Sequence, residues 1–413
     1  MCLIDIFCTF DEVEKELDYD FIFAGAGAAT LQIIQKLIQS GDFTEKQLLI
    51  LERDSNKKND RTWCFWEKNE GPLEALICRD WSLIGVSEND QLAPSPILPY
   101  KYKMLEGATF YEAMKKGLAH SPNCHFVLEE VTEISPVSPA ASASTETAGF
   151  LKNGHTKVTT TSGTYIATRV FNSIFDYKPL LAQNRFPVLQ QHFVGWFVRT
   201  QNPVFKPEMA TFMDFRVAQK GNTRFMYVLP TSTTTALVEY TLFSKDRLKK
   251  EAYEAAIVAY LEEIKAGDYE INDTEAGSIP MTCYPFEQFN TPHLLRIGTA
   301  GGWSKPSTGF TFSNTQKQIP KLVAYLKKGK PLDQFPSKDR FWWYDHILLE
   351  VLASDNSRGK AIFEGLFKRR SAPLILKFLS QETHFFQELY IMSAADKWRF
   401  TKAFFRVLGR SFN

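Results

Sequence analysis

Tyr19-Asp20-Phe21-Ile22-Phe23-Ala24-Gly25-Ala26-Gly27-Ala28-Ala29-Thr30 is the stretch on which the fold turns. An apolar run rich in aromatic and β-branched residues ends in two closely spaced glycines. A helical pattern follows from Leu31 to Ile38, and a second apolar strand from Gln47 to Leu51 ends at Glu52. This is a βαβ unit, and it predicts an α/β, doubly wound (Rossmann-like) domain that binds a dinucleotide. Gly25 permits the tight turn, Ala26 leads on, and Gly27 lets the backbone approach a pyrophosphate at the positive end of the helix. Glu52 is placed to accept hydrogen bonds from ribose hydroxyls, and it would repel the 2′-phosphate of NADP. Thr30 stands where a third glycine is usual and is expected to loosen helix–strand packing.

A second glycine-rich turn, Gly298-Thr299-Ala300-Gly301-Gly302, closes the short apolar strand Leu294 to Ile297 and precedes a helix expected from about Ser313 to Lys327. Two such turns far apart in the chain are what FAD requires, because it lies extended between them. A nicotinamide enzyme usually needs only the first. Working outward, the β pattern returns at Phe126 to Ile134 and Lys157 to Asn172. Between them Ser135 to His155 reads as a long hairpin tip. From Phe193 to Phe243 the chain is strand-rich. Arg247 to Ile264 reads as a helix, and the chain beyond Phe341 as all-helical.

The bulk numbers agree with an enzyme of this kind. The 413 residues carry a net charge of +1, which gives no footing for nucleic-acid binding. With 23% charged and 44% apolar residues the chain is globular, and 34 Phe suit either a large apolar cavity or a Phe-rich core. The six cysteines lack C-x-x-C spacing and read as free thiols in a reducing compartment, with no metal expected. No apolar run reaches the length of a membrane span, and the acidic Asp11 to Asp20 region is unlike a signal peptide, so a cytoplasmic protein is expected.

Ala236-Leu237-Val238-Glu239-Tyr240-Thr241-Leu242-Phe243 reads as a buried strand with one carboxylate in it. Alternation puts Glu239 on the same face as Leu237, Thr241 and Phe243. A carboxyl facing apolar surroundings loses solvation, its pKa rises, and it becomes a proton donor near neutrality. An ion pair with Arg216 or Arg224 is the competing structural reading. Trp196, Phe197 and Trp303 are candidates for stabilising a cation through their ring faces, or are simply core. His192 reads more readily as a hydrogen-bonded structural residue. Asp214 and Arg216 alternate on one strand face, as an ion pair or as groups near flavin or substrate.

The chain resembles the flavin-dependent lycopene β-cyclases of bacterial type over nearly its whole length. Beyond the opening turn, the resemblance rests on Arg61-Thr62-Trp63-Cys64-Phe65-Trp66, Tyr102-Lys103-Met104 ahead of Phe110-Tyr111, and Phe175-Asp176. It continues through Gln191-His192-Phe193-Val194-Gly195-Trp196, Met213-Asp214-Phe215-Arg216 and Val228-Leu229-Pro230. The most specific pieces are the Glu239 strand, Ile279-Pro280-Met281, and Ile297 to Gly302 with Lys305-Pro306-Ser307-Thr308-Gly309-Phe310. The resemblance implies an FAD-binding domain over 18–185 and 290–340, an inserted β-rich substrate domain over 186–289, and a helical C-terminal region over 341–413. It implies redox-neutral closure of the ψ-ends of lycopene, or another ψ-end carotenoid, to β-ionone rings. Reduced FAD is required, with NAD(P)H as reductant. An essential acid falls on Glu239. Lys305, Pro306, Ser307, Thr308 and Gly309 follow the second glycine turn, so their backbone either lines the flavin ring or forms a surface loop shaped by Pro306 and Gly309. Phe310 departs from the Tyr common there.

Such a substrate comes from a bilayer. From Arg358 to Asn413 eleven Lys/Arg face four acids, and Lys368-Arg369-Arg370 interleave with Leu374, Ile375, Leu376, Phe378 and Leu379. This is either a surface anchor on the inner face of the cell membrane or a solvated basic face. Two rivals stay open. A flavin monooxygenase acting on an isoprenoid or aromatic substrate shares both glycine turns but needs no buried acid. A non-catalytic flavin- or carotenoid-binding relative has Thr30 as its best argument.

Overall fold

The computed structural model describes residues 17–54, 61–137, 154–336 and 338–411. The first of two large sheets is built on Leu17–Ala24, which pairs in parallel with Leu48–Glu52 on one side and Thr164–Asn172 on the other. Cys124–Leu128 and Leu294–Arg296 extend it in parallel, and the Val131–Pro136 and Thr156–Thr160 strands add an antiparallel hairpin at the edge. The central strand is apolar on both faces because both are covered. Phe21 and Phe23 face the helices, while Ile22 packs with Leu49, Leu51 and Val170 on the other side. Helix Ala28–Ser40 follows the first strand and packs against helix Phe312–Leu326 through Leu31, Ile34, Ile319 and Leu322. Most of the stretch expected as a hairpin tip, 138–153, lies outside the described residues.

The second sheet runs in the order Tyr269–Thr282, Val188–Thr200, Thr235–Ser244, Thr223–Pro230, Met209–Asp214, Leu83–Glu88, Gln91–Pro96. Its last two strands correct the expected domain boundary. They fall inside 18–185, yet Leu83–Glu88 pairs in parallel with Met209–Asp214. The reason is apolar: Ile84 and Val86 bury themselves with Phe212 and Met213. One face of this sheet is covered by helix Lys250–Glu263, whose Tyr253, Ile257 and Tyr260 pack on Val238, Tyr240 and Leu242. The other face, bearing Leu237, Phe225 and Phe243, meets Leu349, Leu352, Phe363 and Leu376 from the C-terminal helices. Those helices span Arg340–Ser354, Gly359–Arg369, Ala372–Leu379, Phe385–Met392 and Lys397–Ser411. Asp339 caps the first by accepting from the Phe341 and Trp342 amides at 2.9 and 3.3 Å. A small antiparallel sheet of Thr62–Glu67, Lys101–Glu106 and Arg79–Trp81 closes one end. Among the described residues no helix is long and apolar enough to cross a membrane. Cys64, Cys78, Cys124 and Cys283 are free thiols, and Cys2 and Cys8 lie outside the described residues.

Candidate active site

One cavity of about 1010 Å³ connects the three parts of the molecule. Gly25, Gly27 and Gly298 line one end, the second sheet lines its wall, and Phe378, Met392 and Phe400 of the C-terminal helices line the other end.

At the first end the turn geometry follows from the glycines. Gly25 has φ +89°, and a Cβ there would lie 2.5 Å from Ser173 Oγ, so both conformation and space demand glycine. Gly27 is different, since its missing Cβ would meet nothing within 4 Å. That clearance opens to the cavity at the start of helix Ala28–Ser40. Glu52, buried at the end of its strand, accepts from the Ala26 amide at 2.7 Å and from the Asp54 amide at 3.1 Å. It therefore pins the turn while also lining the cavity. The second turn packs on the first: a Cβ on Gly298 would come within 2.9 Å of Ala29 Cβ. Thr30 is fully buried and its hydroxyl has no hydrogen-bond partner. Helix and second turn approach closely one residue earlier, at Ala29, because Gly298 has no side chain.

On the wall stands Glu239, and it faces the cavity as strand alternation predicts, together with Phe243. Neither arginine reaches it. Arg216 Nε donates to Asp214 at 2.8 Å, and Arg224 bonds Asn222 and the Tyr240 hydroxyl. Its hydrogen-bond donor is the Thr241 hydroxyl, on Oε1. Across the sheet, Gly195 is in register with Glu239 on one side and with Glu275 on the other. All three positions share a face, and Gly195 puts no side chain between the two buried glutamates. Glu275 accepts from the Thr62 hydroxyl at 2.8 Å. Burial, reinforced by the negative charge of Glu275 and opposed by the Thr241 hydrogen bond, pushes the Glu239 carboxyl up to about 8. On the other neighbouring strand Tyr227 sits opposite Glu239, and its hydroxyl shares a 2.6 Å hydrogen bond with that of Tyr102. Burial raises both phenols and the adjacent Cys64 thiol far above neutrality, so all three stay protonated.

Comparison with known proteins places this geometry in a family. The family described as lycopene cyclase protein matches residues 20–408. The chain belongs to the lycopene cyclase family. The lycopene β-cyclase of Pseudescherichia vulneris is 24% identical over 303 residues, 71% of this chain and 70% of that protein. Among solved structures, a geranylgeranyl bacteriochlorophyll reductase-like protein from Thermoplasma acidophilum has a TM-score of 0.61 at 10% identity, covering 93% of this chain and 98% of that one. A flavin-dependent monooxygenase solved with FAD and substrate has a TM-score of 0.55 at 10% identity, over 95% and 72%. The p-nitrophenol 4-monooxygenase of Pseudomonas putida has 0.52 at 12%, over 94% and 97%. At these identities the structural likeness is one of fold: a Rossmann-like domain joined to a β-rich one.

Several residues singled out in the sequence lie elsewhere than expected in this cyclase-family chain. Trp196 packs on the helix face of the second sheet against Tyr269, because position 196 alternates with Gly195. Asp214 is on that face too, held by Arg216 and by the Tyr260 hydroxyl at 3.1 Å. Trp303 belongs to the core under helix Ala28–Ser40, and neither it nor Phe197 lines the cavity. Lys305 turns inward to a buried ion pair with Asp345 at 2.9 Å, and Pro306 is likewise off the wall, while Ser307, Thr308 and Gly309 line it. Gly298 and Thr299 line the cavity; Ala300, Gly301 and Gly302 shape the turn behind them. The anchor expected around Leu374 to Leu379 is partly core, since Ile375 and Leu376 are fully buried. Sequence reasoning missed Glu275, Tyr227 and Thr62. Glu275 had one signal, its place on the same strand face as Gly277 and Ile279, but its partnership depends on a strand pairing that the sequence does not display.

Proposed function

We propose that the protein is a lycopene β-cyclase that uses reduced FAD, with NAD(P)H as reductant, and closes both ψ-ends of lycopene to give β-carotene by way of γ-carotene. The observation that carries this reading is Glu239: a carboxyl on the wall of a large, mostly apolar cavity that holds its proton at neutral pH.

The cavity suits FAD. Gly27 leaves open space at a helix N-terminus, and Thr308 Oγ1 and Gln191 Oε1 are buried on the wall without hydrogen-bond partners, as polar atoms awaiting a ligand are. Gly25 to Gly27 and the helix N-terminus would hold the pyrophosphate, Glu52 the ribose, and Ser307 to Gly309 the ring system. When bound, the reduced flavin supplies negative charge that stabilises a cation nearby.

The chain's own residues do the proton chemistry. Thr241 holds one oxygen of Glu239, leaving the other to deliver its proton to the terminal alkene of the substrate. A carboxyl near pH 8 is matched to work near neutrality. Phe193, Phe225 and Phe243 keep water from the resulting cation and offer ring faces to it. The next double bond closes the ring, and loss of a ring proton leaves the β-alkene. The reaction is an isomerisation, so the reductant is not consumed stoichiometrically.

The substrate's insolubility requires a lipid surface. Helices Phe385–Met392 and Lys397–Ser411 expose Phe385, Phe386, Tyr390, Trp398 and Phe405 beside exposed Lys397, Lys402 and Arg406, while Ile391, Met392 and Phe400 of the same segment line the cavity. This supports peripheral attachment to the cytoplasmic face of the membrane, with substrate entering beside this helix pair.

The deciding experiment is expression in a lycopene-accumulating bacterium. The expected outcome is a shift from pink to orange with β-carotene as the product by chromatography. Unchanged pigment alongside folded, flavin-loaded protein overturns the reading. A one-ended or ε-ringed product keeps the cyclase chemistry and overturns the product assignment.

A further inference from the structure

The loop that follows the second glycine turn belongs to no helix or strand, yet it forms part of the cavity wall through Ser307, Thr308 and Gly309. Its backbone closes on itself. The Lys305 amide donates to the Phe310 carbonyl at 3.0 Å, and the Gly309 amide donates to the Lys305 carbonyl at 2.8 Å. On one side the loop abuts the second sheet, since a Cβ built on Gly309, at φ +71°, would lie 2.4 Å from Gln191 Oε1. On the other side a single carboxylate grips it. Asp345, on helix Arg340–Ser354, accepts from Lys305 Nζ at 2.9 Å through Oδ2 and from Ser307 Oγ at 2.6 Å through Oδ1. Lys305 is 1% exposed and Asp345 4% exposed, so both charges lie out of water.

We propose that Asp345 is a positioning residue of the flavin site: it holds residues 305–309 in the shape that receives the ring system, so that the C-terminal helical region completes a site whose glycine turns belong to the first sheet. The inference rests on the reading above for its ligand, FAD. Stability alone does not account for the pair. Burial pushes the Asp345 carboxyl above its ordinary value although Lys305 and Ser307 both oppose the rise. Desolvation thus outweighs the attraction, and a buried ion pair of this kind adds little to stability over apolar side chains of similar size. What the pair supplies is direction. A carboxylate with one oxygen on each of two loop side chains fixes the loop against the helix in distance and in rotation, where apolar contacts would let it slide. Thr308 and Gly309 follow the gripped Ser307 directly and are thereby kept on the wall. A loose loop has to be ordered when the cofactor arrives, and that ordering lowers affinity. A loop already held does not carry this cost. Asp345 itself reaches the cavity, but each of its oxygens already has a loop donor, so it acts through the loop.

The test sets FAD affinity against stability in the intact chain. Lys305→Met combined with Asp345→Leu removes both charges at once and keeps the volumes similar. The doubly substituted protein is expected to unfold at a urea concentration no lower than wild type. Its dissociation constant for FAD, from fluorescence titration, is expected to rise about five- to twentyfold. The visible circular dichroism of the bound flavin, which reports how firmly the ring is held, is expected to weaken. A pair that merely supports the fold gives the reverse, lower stability with an unchanged FAD dissociation constant, and that result overturns the proposal. Should the double substitution prevent folding, Asp345→Glu takes its place. It keeps the charge but moves the carboxylate outward by one methylene, so FAD affinity is expected to fall about threefold or more. Unchanged affinity in folded Asp345→Glu protein overturns the proposal. The two readings fail separately. Equal FAD binding by wild type and variants removes Asp345 from the flavin site and leaves the cyclase reading intact. Wild-type protein that takes up no FAD overturns both. Weakened FAD binding in the variants, with a wild type that leaves lycopene unchanged, supports the positioning role and overturns the cyclase reading.

Discussion

The two faces of the second sheet treat buried charge in opposite ways. On the helix face His192, Asp214 and Arg224 are all paired. His192 is hydrogen-bonded to the Ser244 hydroxyl at 2.7 Å and to the Tyr253 hydroxyl at 2.5 Å, Asp214 holds Arg216 and Tyr260, and Arg224 holds Asn222 and Tyr240. On the cavity face Glu239 has a hydroxyl for a donor and another carboxylate for a neighbour. A protein can bury a paired charge for architecture, but among the described residues no cation pairs with Glu239. The contrast separates structural from chemical polar residues on one sheet, one residue apart in register.

The sharpest way to break the comparison is to exchange consequences between the faces. Glu239→Gln keeps the shape and a hydrogen-bond donor but removes the transferable proton. It is expected to lower kcat for ring closure by about 10²–10⁴-fold while leaving flavin content unchanged. A rate within a few-fold of wild type would remove Glu239 from the chemistry. The same substitution is expected to stabilise the protein. Below about pH 4.5 Glu239 is protonated in both folded and unfolded chains and contributes no pH dependence. Between there and pH 8 only the unfolded chain ionises, so wild-type stability falls as pH rises, and above 8 the penalty is constant. Glu239→Gln should therefore gain on wild type across this window, by roughly 3–5 kcal/mol at its upper end, measured by urea unfolding at several pH values.

On the opposite face the signs reverse. Asp214→Asn removes a fully buried carboxylate and leaves the partly exposed Arg216 guanidinium without its counter-charge. It is expected to cost about 2–4 kcal/mol of stability with kcat nearly unchanged in the folded fraction. A variant of normal stability and lost activity would mean that the helix face takes part in catalysis after all.

How much of this contrast the sequence displays depends on the range of the interactions involved. The βαβ unit, the glycine turns and the facing of Glu239 toward Leu237 and Phe243 are local, since they follow from runs and alternation of two to ten residues. Trp196 and Asp214 were candidates on either reading because alternation shows that a residue changes face, not which face is wet. That was decided by helix Lys250–Glu263 packing on one side and by helices beyond residue 340 closing over the other. Leu83–Glu88 joined an unexpected sheet for the same reason: parallel pairing with Met209–Asp214 spans more than a hundred residues and leaves no local mark. Glu275 is the plainest case, since its significance lies in sharing Gly195 with Glu239, a relation between three strands.

Gly195 gives the smallest expected effect and the finest resolution of the comparison. Its backbone lies outside the left-handed region, so an alanine is conformationally tolerated, and replacing glycine in a strand narrows the unfolded ensemble by about 0.4–1 kcal/mol in favour of folding. Against this, the added methyl would sit 2.9 Å from Leu237 Cδ1, whose leucine end can give by a few tenths of an ångström. These terms nearly cancel, and Gly195→Ala is expected to alter stability by no more than about 1 kcal/mol. The methyl would also touch both glutamates, at 3.3 Å from Glu275 Cγ and 3.4 Å from Glu239 Cβ. It pushes them apart and weakens their repulsion, so kcat near pH 8 should fall by about three- to tenfold with the alkaline limb displaced downward. Unfolding curves and a pH–rate profile on the same preparation separate the two effects. A stability loss with an unmoved profile would make Gly195 a packing residue like those on the helix face. An unchanged stability with a displaced profile would mean that the space above this one glycine belongs to the proton chemistry and not to the fold.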